Sequence, residues 1–188
     1  MSGGATEVHE LGFDHGVGRA ASRTEEAEPQ PSGLSMVVFS GDLDKVLAAM
    51  IIVNGAAAMD LPVSVFFTFW GLNVLRREHP ANAEGKKTMI EGMFSRMMPR
   101  GAAHLQLSTL KMAGLGTRIM KREMSKKHVS SLQELLRSAQ EQGVRFIACT
   151  MSMDLMGIRK EELIDGIHFG NVASFVDAAD RSRISLFI

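Results

Sequence analysis

Apolar and polar residues fall into blocks along the chain, and the period changes from block to block. Leu34 to Ser40 is a short apolar run behind Gly33, the pattern of a buried strand. Asp42 follows at a position suited to capping a helix, and that helix runs to about Met59 through VLAAMIIVNGAAAM. The segment is apolar on nearly every side, which predicts burial. Pro62 then introduces Val63 to Phe69, a second buried strand rich in Val and Phe. Two apolar strands joined through a helix form the βαβ unit of a parallel sheet.

The middle of the chain has a different texture. Thr88 to Met98 reads as a Met-rich helix ended by Pro99, with Met89, Met93 and Met97 on one stripe. A Gly-punctuated loop and a basic helix from about Thr117 to Lys127 follow. The pattern predicts an insertion over residues 76–127, lying over one end of the sheet. Ser131 to Gln142 is amphipathic and closed by Gly143. Val144 to Cys149 is a strand, and Thr150 to Met156 is a short helix closed by Gly157. Glu161 and Glu162 lie in a polar turn before a strand at Gly166 to Phe169. Asn171 caps a helix to about Ser182, and Ile184 to Ile188 is the last strand. The order predicts an α/β fold, an open and mainly parallel sheet with helices on both faces.

Composition narrows the function classes. The chain has 188 residues, 45% of them hydrophobic, enough for a sizeable core. Residues 1–33 stand apart, rich in Gly, Glu, Ser and Pro, and read as a disordered acidic tail with no secretory signal. Residues 34–188 then form one domain. Between Val46 and Leu75 the only charged residue is Asp60, yet Asn54, Asp60 and Pro62 break the run. A membrane span needs about 20 uninterrupted apolar residues. Membrane association is therefore not favoured.

Lys and Arg number 21 and so do Asp and Glu, which argues against a nucleic-acid binder. The balance hides an acidic tail and a basic middle: residues 76–127 hold twelve Lys or Arg against four Glu. Such a segment either solvates a helix face or draws an anionic partner.

The candidate chemistry centres on one residue. The chain has one Cys, which excludes an intramolecular disulfide, and its histidines lack metal-ligand spacing. No cofactor motif is present: Gly41-Asp42-Leu43-Asp44 lacks the dinucleotide glycine pattern, and Gly114-Leu115-Gly116-Thr117-Arg118 matches no nucleotide fingerprint. Cys149 ends a strand and precedes a helix, the crevice end of an open α/β sheet. Partial positive charge at a helix start favours the thiolate, the form that attacks sulfane sulfur. Thr150 and Ser152 offer hydroxyl donors that would favour it, and Asp154 opposes it. Asp42 and Trp70 are expected to wall the crevice. A buried, inert cysteine fits the placement equally well.

Four strings point further: CTMSMDLMG from Cys149, FFTFWGLNVLRR from Phe66, MFSRMMPRGAAHL from Met93, and the ending GNVASFVDAADRSRISLFI. With these the chain from 34 to 188 resembles the DsrE/DsrF/DsrH-like family, in its long single-cysteine subgroup. The resemblance implies a flavodoxin-like fold, a homo-oligomer and cytoplasmic sulfur handling. It implies a persulfide on Cys149, exchanged with rhodanese-type or TusA-type sulfur carriers. A peroxiredoxin-like role, named for some relatives, lacks support here, since Gly143 to Ala148 supplies neither the proline nor the threonine of a peroxidatic motif. The competing reading is a binding or assembly module with an unreactive Cys149.

Overall fold

A computed structural model describes residues 32–78, 99–109 and 114–188. Residues 1–31 of the tail and the Met-rich segment Thr88 to Met98 lie outside them. Five strands form one parallel sheet: β1 (Leu34–Val38), β2 (Val63–Phe67), β3 (Arg145–Cys149), β4 (His168–Gly170) and β5 (Ile184–Phe187). Their order across the sheet is β4-β3-β2-β1-β5. Among the described residues the α-helices are α1 (Leu43–Ala57), α2 (Leu115–Lys126), α3 (Leu132–Glu141), α4 (Thr150–Met156) and α5 (Val172–Asp180).

The handedness of parallel crossovers assigns the layers. From β1 to β4 the chain steps always the same way across the sheet. Right-handed connections therefore put α1, α3 and α4 on one face. The return from β4 to β5 runs the opposite way and puts α5 on the other. Packing agrees. Met36, Val38, Val65, Phe67, Phe146 and Ala148 join Val46, Met50 and Val53 of α1, Leu136 of α3 and Met153 of α4 in the main core. The alternate residues Val37, Phe66, Ile147 and Cys149 form a second cluster, against which Phe175 of α5 packs. This is the expected open sheet with helices on both faces. Its order differs from the flavodoxin order, so the reversal falls between β3 and β4.

Local chemistry explains the elements. Ser131 accepts a hydrogen bond from the Glu134 amide while the Glu134 side chain takes the Ser131 amide, a reciprocal cap on α3. Asn171 and Ser174 do the same for α5. In the first core, the Phe67 and Phe146 rings meet edge to face at 5.4 Å, worth about 0.5–1.5 kcal/mol beyond burial. Asn54, an interruption in the apolar run, donates to the Met50 carbonyl at 2.8 Å and to the Leu135 carbonyl at 3.0 Å. It ties α1 to α3.

Two expectations need correction. The helix α1 is not buried all round: Ile51 and Ile52 face outward, because a helix in an outer layer has one wet side. The second strand stops at Phe67, since Phe69 adopts φ 45° and a 3₁₀ helix follows over Phe69–Leu75. Glu162 ends the expected turn before β4 but does not face water. It lies buried in an ion pair with Arg76. Among the described residues no helix is long and apolar enough to cross a membrane.

Candidate functional site

Cys149 is the last residue of β3, and its Cα partner across the sheet is Gly170, the last of β4. From Cys149 the chain turns into α4 on one face, and from Gly170 it turns into α5 on the other. That divergence is the switch point at which open α/β sheets leave a crevice beyond their strand ends. The register of β2 with β3 pairs Phe67 with Ala148, so Thr68 stands one strand over, level with Cys149.

The crevice is closed at the thiol. Cys149 is 1% exposed and belongs to the cluster with Val37, Phe66 and Ile147. The ring of Phe175 packs against this cluster, its centroid 5.7 Å from that of Phe66. The cover is light, however. No residue of α5 is buried, and Val172 and Val176 face solvent.

The hydroxyls expected to support a thiolate are engaged elsewhere. Thr150 Oγ1 donates to the Gly170 carbonyl at 3.3 Å, tying α4 to the end of β4. Ser152, fully buried, shares a 2.8 Å hydrogen bond with Thr68 that holds the turn after β2 against α4. Thr68 is thus a residue that sequence reading missed. Only the parallel register, which no local pattern displays, puts it beside Cys149. The helix α4 spans just seven residues, so any field it lends the thiol is that of two turns.

Asp42 and Trp70 are brought together, but not with Cys149. They line a groove of about 320 Å³ with Phe39, Ser40, Gly41, Lys45, Asn73 and Pro99. Phe39 follows β1, two strands from Cys149, about 10 Å at ordinary strand spacing. Asp42 precedes α1, but its carboxylate does not cap the helix. It accepts a 2.8 Å hydrogen bond from the Lys45 ammonium, which raises the Lys45 pKa.

A larger cavity of about 580 Å³ lies between α2 and α3, lined by Lys121, Met124 and His128 among others. It contains none of the expected site residues. Thr117, part of the suspected anion nest, is buried with its Oγ1 accepting the Leu107 amide at 3.2 Å. Among the described residues no three His, Cys, Asp or Glu side chains gather as a metal ion would require.

Comparison with known proteins adds a family. The uncharacterized protein YrkE of Bacillus subtilis is 46% identical over 159 residues, covering 85% of this chain and 98% of that protein. The sulfur carrier protein DsrE2 of Allochromatium vinosum is 36% identical over 156 residues, covering 82% of this chain and 97% of its own. Among solved structures, the protein of unknown function MTH1491 from Methanobacterium thermoautotrophicum superposes with a TM-score of 0.48 at 17% identity, covering 82% of this chain and 97% of that one. The ychN protein of E. coli gives 0.49 at 13%, covering 85% and 100%. The family profile itself matches residues 31–187. The chain belongs to the DsrE/DsrF/DrsH-like family.

Proposed function

We propose that this protein is a sulfur carrier in which Cys149 takes up a sulfane sulfur, holds it as a persulfide and hands it to another protein. The observation that carries the reading is the location of the chain's one thiol, at the end of β3 where the sheet connections diverge. Identity of 36% to a protein described as a sulfur carrier supports it.

The chemistry balances without an external oxidant. The Cys149 thiolate attacks the outer sulfur of a donor persulfide, the donor S–S bond breaks, and the donor leaves as a thiolate that picks up a proton. Unloading is the same exchange in reverse, with a partner thiol as acceptor. No second cysteine in the chain can resolve the persulfide, so it persists until a partner arrives. Rhodanese-type and TusA-type carriers are the expected partners, in the cytoplasm, with the basic segment 76–127 drawing acidic ones. Both transfers need the Phe175 cover to lift, and a helix with no buried residue lifts cheaply.

We read the protein as a homo-oligomer. Val172, Val176 and Phe187 expose apolar surface on the thinly covered face of the sheet, the surface a second copy would shield.

The burial of Cys149 favours a second reading, a binding module whose cysteine only packs. Intact-protein mass measurement after brief exposure to a polysulfide separates the two. A reductant-reversible gain of one sulfur, absent from Cys149→Ser, is the expected result. No gain on the wild-type protein would leave the packing role.

A further inference from the structure

The groove beside Trp70 plays no part in the sulfur chemistry above, yet it is built at some cost. Phe69, the residue before Trp70, holds a left-handed backbone, φ 45°, a conformation that costs a bulky residue about 1–3 kcal/mol. That turn presses Trp70 against the loop before α1 so closely that a Cβ on Gly41 would come 2.9 Å from the Trp70 carbonyl oxygen. The indole nevertheless remains 46% exposed, next to half-exposed Phe39 and to Pro99.

The groove also holds an orphan. Asn73 is 2% exposed, and its amide oxygen is buried without a hydrogen-bond partner. Leaving a buried acceptor unmade costs about 1–3 kcal/mol. The amide torsion of asparagine is broad, so a modest rotation turns this group toward a ligand in the groove. At the rim, Asp42 and Lys45 neutralise each other across 2.8 Å.

These features select a ligand: apolar enough to stack on Trp70 and Phe39, able to give and take one amide hydrogen bond, and without net charge. We propose that the groove binds a short, extended, uncharged peptide segment of a partner protein. An apolar side chain lies against Trp70 and Phe39, and a main-chain N–H donates to Asn73 Oδ1. A peptide unit is the natural complement of a primary amide, donor to acceptor on both sides. The groove's volume of about 320 Å³ sits at the lower limit of ligand pockets and suits one side chain with its flanking peptide units. Aromatic-walled grooves of this kind take proline-containing extended segments, whose stiffness reduces the entropy lost on binding.

The chain has one Trp and no Tyr, so indole emission reports on this groove alone. The full chain is titrated with the capped tripeptide acetyl-Pro-Leu-Pro-amide. The expected result is a saturable emission shift with a Kd at or below about 1 mM. Asn73→Leu is expected to bind about tenfold more weakly, the value of one hydrogen bond, while unfolding at equal or higher urea because it removes an orphaned acceptor. Trp70→Ala, followed by calorimetry, is expected to lose binding with the fold intact, since the position is half open. Cys149→Ser is expected to titrate like the wild type, which keeps the fate of this site separate from that of the sulfur reading. No saturable change overturns the proposal, as does undiminished binding by Asn73→Leu or by Trp70→Ala.

Discussion

Arg76 and Glu162 meet in the interior, Nη2 to Oε2 at 2.9 Å, with side chains 1% and 4% exposed. The two residues lie 86 positions apart. Arg76 follows the 3₁₀ helix after β2, where its backbone bridges Leu163, and Glu162 closes the 3₁₀ turn before β4. Burial lowers the Arg76 pKa, and the bond to Glu162 opposes that shift.

Removing one partner of such a pair deprives the other buried charge of its counter-charge, at about 3–5 kcal/mol. Glu162→Leu is therefore expected to lower the urea midpoint severely. The double change Arg76→Met with Glu162→Leu is expected to recover most of the loss, because it removes the charge along with its need for a partner. Equilibrium unfolding of the three variants checks this. A double variant as unstable as the single one would mean that the pair stabilises the fold outright.

Two glycines give opposite expectations. At Gly55, on the outer side of α1, a Cβ meets nothing within 4 Å, so Gly55→Ala is expected to stabilise by about 0.5–1 kcal/mol through helix propensity alone. At Gly71 a Cβ would fall 2.1 Å from the Val38 carbonyl oxygen, a backbone atom that cannot swing aside. Gly71→Ala is expected to cost roughly 2 kcal/mol or more and to displace the turn carrying Trp70. Thermal melts of both proteins read the two signs directly.

The same contrast between local and distant information separates what could be read along the chain from what could not. The strand starting at Leu34, the amphipathic helix after Ser131 and the strand ending at Cys149 are local signals and stand where their residues predict, although the first strand stops at Val38 rather than Ser40. The end of β2 was misplaced, because Val63 to Phe69 is uniformly apolar while the backbone of Phe69 turns left-handed. The burial of Glu162 leaves no local signal, because its partner Arg76 lies 86 residues away. Asp42 and Trp70 were expected at one crevice with Cys149. They share a groove of their own, since lateral strand order rather than strand-end position decides which ends are neighbours.

Acid should weaken the fold partly through Asp44. Burial pushes its carboxyl pKa up, but the Ser108 hydroxyl at 2.6 Å and amide at 2.9 Å outweigh that and hold it below the ordinary value. A group depressed in the folded state stabilises above its unfolded pKa, about 3.9 for Asp, and the benefit disappears as pH falls through the lower folded value. Asp44→Asn is thus expected to cost about 1 kcal/mol near neutral pH, allowing for solvent screening, and progressively less below about pH 4. Urea midpoints for wild type and variant, measured across that range, should converge in acid. Curves that stay parallel would remove Asp44 from the acid response.

The cover over Cys149 makes the most direct prediction about reactivity. Phe175 sits on Val37, Phe66, Ile147 and Cys149, yet α5 has no buried residue to hold it down. Truncation to Phe175→Ala removes the ring packed on the cluster that contains the thiol. Since the ring is only partly buried, the loss of stability should stay below the 3–5 kcal/mol of a fully buried Phe, at about 1–2 kcal/mol. Alkylation of Cys149 should accelerate by more than that loss explains if the thiol reacts through local opening of α5. If it reacts only through global unfolding, rate and stability will change by the same factor. The comparison is made by timing iodoacetamide modification under native conditions beside urea unfolding of the same two proteins. A thiol reached by local opening can serve a sulfur partner without unfolding the sheet. One that reacts in step with global unfolding is a packing residue, and the carrier reading fails with it.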